Sequence, residues 1–369
     1  MAHRDSSSMM PDHRLGLSSR SLNRDQEKIL NTIMDIINRR IYLSERPADA
    51  PGAEHFGVEE VTITDLPEGH VVIKVDTLSI DAFIRTTLYE SSFHAPTPIG
   101  GTVTALGVGE VVASNYPDLK PGDWVNGPMM AQTHTVMPGA AFQKIAISTN
   151  LPPSTYLGVL GLTTGITAWV GMVAVGEVTA SDTVVVSGAA GAVGTVAVQM
   201  AKARGARVIG IAGGAKKCQF LTDTLGLDGA IDYKNEEVED RIKALAPDGI
   251  DLFFDNVGGE ILDIMLDNLA QGGRVVLCGA ISQYQNMGDV RGPKLYLRIA
   301  ERNASMRGFT VDRYAEQFAA ASEELSRLLI EGNMLLPEHV VEGIDNFPEA
   351  LLTLFNGGHT GKMLVKPSV

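Results

Sequence analysis

TVVVSGAAGAVGTVAVQMAK, residues 183–202, decides the reading of this chain. It opens with an unbroken apolar β-branched run, passes through a glycine turn, Gly188-Ala-Ala-Gly191-Ala-Val-Gly194, and continues as an apolar helical pattern. A GxxGxxG string alone is weak, because apolar helices produce it often. Placed between a buried strand and the first turn of a helix, it is a dinucleotide-binding signature. Glycine lets backbone approach a pyrophosphate closely, and the helix N-terminus supplies unpaired N–H groups and a partial positive charge.

Outward from this stretch, helical segments near 192–204, 215–225, 236–246, 260–269 and 314–331 alternate with short apolar strands. The strands are 183–189, 207–213, 229–233, 250–257, 274–280 and 306–311. Strands apolar on both faces at βαβ spacing imply a doubly wound parallel α/β sheet covered on both sides. From Arg40 to about Asn150 the chain is strand-rich instead, with runs such as HVVIKVDTL (70–78) and turns such as Lys120-Pro121-Gly122-Asp123. After Leu335 it returns to strand, a short helix (347–355) and a strand (361–366) that would rejoin the first domain. The expected division is an extension over 1–38, a first domain over 39–155, a dinucleotide-binding domain over 156–333 and a return over 334–369. Residues 25–38 read as a short amphipathic helix within an otherwise disordered extension.

The end of the second strand selects the dinucleotide. An NAD site usually carries an acid there for the ribose 2′-hydroxyl. GIAGGAKK (210–217) has none. It offers Gly213 for close approach and Lys216-Lys217 at the start of a helix, where cations oppose the helix dipole. Two solvated lysines would explain that, but a 2′-phosphate between them explains it better, which favours NADP(H).

The chain has 369 residues and a net charge of −14, which argues against nucleic-acid binding. No run approaches the roughly 20 apolar residues of a membrane span. The two cysteines, Cys218 and Cys278, exclude a disulfide framework and a four-cysteine zinc lobe, and both read as inert groups inside regular elements of a cytoplasmic protein. The first domain has no cysteine, and His70, His94 and His134 are isolated, so no metal site is expected. Without such a Lewis acid, reduction of a simple ketone is disfavoured. Hydride addition to a conjugated enone or enal needs only a few hydrogen bonds on the resulting enolate. Tyr116 and Lys120 have short-chain dehydrogenase spacing but enclose Pro117 and read as a turn; no GxSxG or CxxC occurs.

LGVLGLTTGITAWVGM (157–172), SGAAGAVGTVAVQMAK (187–202), GIAGGAKKC (210–218), FFDNVGGEILD (253–263), CGAISQYQ (278–285) and GKMLVK (361–366) together resemble the zinc-independent medium-chain dehydrogenase/reductases. The similar branch holds leukotriene B4 dehydrogenase/prostaglandin reductase, plant alkenal double-bond reductases and bacterial curcumin reductase, and the resemblance runs from about Arg40 to Pro367. It implies a GroES-like barrel built from both chain ends around an inserted Rossmann domain, with NADPH between them. It places the pyrophosphate on Gly191, Ala192, Val193 and Gly194, and the 2′-phosphate on Lys217 and Tyr233. Asn256, the loop Cys278, Gly279, Ala280, Ile281, Ser282 and Tyr284, and the strand Phe309, Thr310 and Val311 would contact the cofactor. His359 stands where the family has an asparagine.

The nicotinamide ribose hydroxyl and Tyr284 are the candidate donors, Tyr89 is a further one, and no single general acid is singled out; Phe83, Arg85 and Tyr89 are candidate substrate contacts. Phe83 replaces a family tyrosine, Glu301 loosely aligns with another, and the segment after Arg85 lacks the usual glycines, which loosens the substrate assignment. The implied activity is NADPH-dependent reduction of an enone or enal in a homodimer. Quinone reduction and cofactor binding without turnover are the competing readings.

Overall fold

A computed structural model describes residues 35–90, 94–148, 151–284 and 289–368. The first strands are β1 (Ile36–Leu43), β2 (Phe56–Ile63), β3 (His70–Ser79), β4 (Leu106–Ser114), β5 (Trp124–Pro128), β6 (His134–Pro138) and β7 (Gln143–Ile145). The middle of the chain forms β8 (Thr183–Ser187), β9 (Arg207–Ala212), β10 (Gly229–Asp232), β11 (Ile250–Asp255), β12 (Leu269–Leu277) and β13 (Ser305–Gly308). The chain closes with β14 (Glu338–Glu342) and β15 (Lys362–Lys366).

Strands β8 to β13 make one parallel sheet in the order β10-β9-β8-β11-β12-β13, the doubly wound Rossmann arrangement. Its strands have no polar face. On β8, Val184 and Val186 pack into one helix-covered core with Ala197, Val208 and Phe254. Val185 points the other way, to Ile209, Phe253, Ile242 and Met265. Burial of both faces is why the stretch reads as continuous valine.

The second sheet runs β14-β15-β3-β4-β5-β7, with β6 pairing β3 as well. β3 carries two register irregularities, at Val72/Ile73 and Val75/Thr77, and such bulges bend a strand enough to curl a sheet into a GroES-like barrel. Strand β15 is flanked by β14 and β3, so the C-terminal return completes a sheet begun nearly 300 residues earlier. The Lys120–Asp123 turn forms as read: the Asp123 amide donates to the Lys120 carbonyl at 3.0 Å, with Gly122 at φ 91°.

Three expectations need correction. The helix read over 25–38 lies outside the described residues up to 34, and Ile36 onward is strand β1, paired antiparallel with β2. Its alternate residues Ile41 and Leu43 fill the barrel core, and that burial overrides a helical pattern that continues only to Asn38. The sixth Rossmann strand ends at Gly308, not at 311. Thr310 caps a 3-10 turn over Val311–Gln317, which leads into the helix Phe318–Ile330. Cys278 lies one residue past β12 rather than inside it.

Candidate cofactor and substrate site

The glycine loop connects β8 to the helix Ala192–Ala203, whose first-turn residues are Ala192, Val193 and Gly194. Gly191 occupies the cap position in extended backbone and offers no side chain, so the first amides are left for a ligand. Gly194 serves packing: a Cβ there would lie 2.2 Å from the Gly188 carbonyl oxygen and 2.8 Å from the Ala189 Cα. Gly191 has room, its nearest neighbour being the Gly188 oxygen at 3.3 Å. The loop also meets the C-terminal return, because the Gly361 amide donates to the Ala190 carbonyl at 2.8 Å.

At the end of β9, the ring of Tyr233 lies over Gly213, 2.9 Å from where a Cβ would stand. Gly214 turns with φ 98° into the helix Ala215–Gln219. An acid does attend this turn, though not at the end of the second strand. Asp232, closing β10, accepts hydrogen bonds from the Gly214 amide at 2.7 Å, from Lys234 N–H and from the Asn235 side chain. Those donors hold its carboxyl below the usual range, the Asn235 bond foremost. Lys217 reaches across to the other domain and donates to the Gly357 carbonyl at 3.0 Å. That carbonyl ends the helix Phe347–Asn356, which finishes on left-handed Gly357. Burial, then the neighbouring Lys234 charge, lowers the Lys217 pKa.

Gly213, Gly214, Lys216 and Lys217 thus form one wall of a cleft of about 540 Å³, and Glu338, His339 and Gly357 to Thr360 form the other. His359 is 8% exposed and its Nδ1 has no hydrogen-bond partner. Burial first, then the charges of Lys217, His339 and Lys362, push its pKa down to about 4.

At the carboxyl end of β11, Asp255 is wholly buried. It accepts from Ser187 Oγ at 2.8 Å and from the amides of Val257 and Gly258. Burial is the larger influence and raises its pKa. Asn256 is held here by two bonds to Ser187, from its amide and from Nδ2. Cys278 and Gly279 donate to the Asp255 carbonyl, and Ser282 Oγ to the Val257 carbonyl. Ile281–Gln283 form one 3-10 turn, and the Tyr284 hydroxyl accepts from the Ala280 amide at 3.2 Å. Burial raises the Tyr284 pKa and pushes the Cys278 thiol up to about 12, so neither ionises near neutrality. Phe309 packs against the Gly171 backbone and edge-on to Tyr314, with centroids 6.2 Å apart.

The substrate candidates lie on or just after the helix Ala82–Thr86. Phe83 packs on His94 with centroids 5.3 Å apart. Arg85 is buried over the Phe355 ring at 4.6 Å, with Nε and Nη2 unpartnered. Tyr89 gives its hydroxyl to the Asp49 carbonyl. Just before them, Asp81 forms a buried pair with Lys362 Nζ at 2.7 Å and accepts from Thr163 at 3.0 Å and from Ser79. This junction was missed in the sequence. Its signal was a lysine inside the apolar strand Lys362-Met-Leu-Val, which demands a buried partner. Glu301, the loose match to a family tyrosine, pairs with Arg298 on the short helix Leu297–Glu301. Among the described residues no group of three or more His, Cys, Asp or Glu could hold a metal ion.

A glycine loop heading a helix on a six-stranded parallel sheet, faced by a barrel that takes strands from both ends of the chain, defines a two-domain dehydrogenase/reductase. The zinc-binding dehydrogenase family matches residues 192–327, and the N-terminal domain of oxidoreductase matches residues 39–145. The NADPH-dependent curcumin reductase of Escherichia coli (strain K12) is 32% identical over 335 residues, 89% of this chain and 96% of that protein. The NADP(+)-dependent 2-alkenal reductase of Nicotiana tabacum is 33% identical over 341 residues, covering 90% and 98%. The crystal structure of CurA from Vibrio vulnificus in complex with NADPH has a TM-score of 0.85 at 34% identity, covering 90% of this chain and 99% of that one. The chain belongs to the medium-chain dehydrogenase/reductase family, in its zinc-independent curcumin, alkenal and prostaglandin reductase branch.

Proposed function

We propose that this NADP-dependent oxidoreductase reduces the carbon–carbon double bond of an α,β-unsaturated ketone or aldehyde. The β-carbon gains a hydride, the α-carbon gains a proton, and the carbonyl is retained. The observation that carries the reading is the cleft between Lys217 and His359, lined by both domains and placed beside an uncapped helix start. Its donors suit a phosphorylated dinucleotide: first-turn amides for the pyrophosphate, then Lys217 and Tyr233 for the 2′-phosphate.

When bound, NADPH supplies the hydride. The chain's own work is orientation and proton control. The Asp255–Ser187 bonds hold Asn256 and the Cys278–Tyr284 loop at the carboxyl ends of β11 and β12, where α/β sheets bind ligands. Phe309, Thr310 and Val311 border the same end beyond β13. His359, from the return, would face the cofactor across the cleft. Tyr284, kept protonated by burial, is the hydroxyl we assign to donate the α-proton. Phe83, Arg85 and Tyr89 are assigned to the substrate side, where the Nε/Nη2 edge of Arg85 suits a substrate oxygen.

NADPH consumption with a panel of enones, enals, quinones and simple ketones tests this. Turnover of enones and enals, with NMR showing one hydrogen at each former alkene carbon, supports it. Turnover confined to quinones, or cofactor binding without turnover on any member, overturns it. Tyr284→Phe should lower kcat more than it changes KM. We further assign a homodimer, since β13 ends its sheet with an edge unpaired among the described residues, and a reducing cytoplasmic setting in keeping with unpaired Cys218 and Cys278. Light scattering of the purified protein checks the dimer.

A further inference from the structure

Two histidines in the cleft are not required by the proposed chemistry. His339 and His359 both come from the C-terminal return, and they face the lysine turn of the Rossmann domain. We infer that His359 makes the phosphate end of this cleft a proton-coupled hold, so that a dinucleotide bearing a 2′-phosphate binds with uptake of a proton while one lacking it does not. The inference rests on the NADP(H) reading of the same site.

The argument begins with what surrounds the ring. From the helix Ala215–Gln219 comes Lys217, with Lys216 also lining the cleft and Lys234 beside it. From β14 come His339 and one acid, Glu338. From β15 comes Lys362, already neutralised by Asp81. The helix Phe347–Asn356 contributes the Thr353 backbone, whose hydrogen bond to the ring works against the other influences. The surplus is cationic: Lys217 is half-buried while Lys216, Lys234 and His339 are exposed, and a cleft lined by one sign of charge attracts an anion. His359 itself leaves Nδ1 unpartnered inside that surplus. Empty, the site keeps the ring neutral. A phosphate reverses the local field, and the imidazolium becomes a charge-assisted donor to it. The proton comes from solvent and sits on Nδ1.

The sign of the effect is diagnostic. A phosphate monoester has its own second pKa near ~6, and lysines alone favour the dianion, so a site built only from Lys216 and Lys217 would release protons on binding. A site in which His359 titrates takes them up.

The test is calorimetric titration of the intact protein with NADPH and with NADH at pH 6.5, in buffers of different ionisation enthalpy. Proton uptake with NADPH and none with NADH is expected. NADPH affinity should then weaken as pH rises, by at most about tenfold per unit. His359→Asn should abolish the uptake while Lys217 still discriminates between the cofactors, and His359→Gln serves if the first variant does not fold. Zero uptake or net release in the wild-type protein overturns the inference, as does unchanged uptake in both variants. Failure of the underlying reading looks different: NADPH would then bind no tighter than NADH, with Lys217→Ala without effect.

Discussion

Lys217 and Gly357 meet across the domain boundary, the ammonium donating at 3.0 Å to the Gly357 carbonyl, which follows the helix Phe347–Asn356. The residue assigned to the 2′-phosphate is therefore also a helix cap for the opposite domain. One charge thus links the lysine turn to the C-terminal return.

Lys217→Ala should weaken NADPH far more than NADH. A charge-assisted phosphate contact is worth about 1.5–3 kcal/mol, or roughly tenfold to over a hundredfold in Kd. Fluorescence titration with both cofactors checks this, and equal losses would sink the assignment.

Gly194→Ala and Gly191→Ala should separate packing from binding. The Gly194 Cβ would strike backbone at 2.2 Å, so this variant should lose several degrees of Tm. The Gly191 Cβ meets little in the protein, so that variant should keep its Tm and lose NADPH affinity. Differential scanning fluorimetry with and without NADPH distinguishes them.

Lys362→Met should destabilise strongly, by about 3–5 kcal/mol, because it leaves the Asp81 carboxylate buried without its cation. Asp81→Asn in the same chain should recover part of the loss. Urea unfolding of both variants measures it, and additive losses would show that the pair is not coupled.

His359 should make stability fall in mild acid. Its folded pKa, about 4, lies below the ordinary value of 6.5, so below pH 6.5 the unfolded chain binds the proton more readily. Stability contributed by the neutral ring is complete above pH 6.5 and is lost as pH falls towards 4, by up to about 3 kcal/mol. His359→Asn should flatten the urea midpoint between pH 7 and pH 5.

Much of this was legible in the sequence where local pattern and chemistry coincide. Val184 to Val186 with Gly188, Gly191 and Gly194 announce a strand, a turn and a helix within a dozen residues. Gly213-Gly214 announce the turn from β9 into the next helix in the same local way. What escaped depends on contacts between distant segments. Asp232 reaches Gly214 from β10, the neighbour of β9, so the residues that end β9 do not announce it. The Asp81–Lys362 pair joins residues 281 positions apart, and no spacing rule connects them. The chain near Ile36 has an apolar periodicity that suits a helix, and only pairing with β2 and burial of Ile41 and Leu43 make it a strand.

The hydrogen bond from Gly361 to Ala190 also orders events during synthesis. Strand β3 lacks its β15 neighbour until residue 366 has left the ribosome, and the glycine loop lacks its cross-domain contact until residue 361 has done so. The strands of the parallel sheet are all made before β15, so the contacts of the return with the glycine loop and with β3 are the last of these to become possible. A chain halted before Gly361 would leave β3 without its β15 neighbour, an open sheet edge of the kind that makes incomplete folds prone to aggregate.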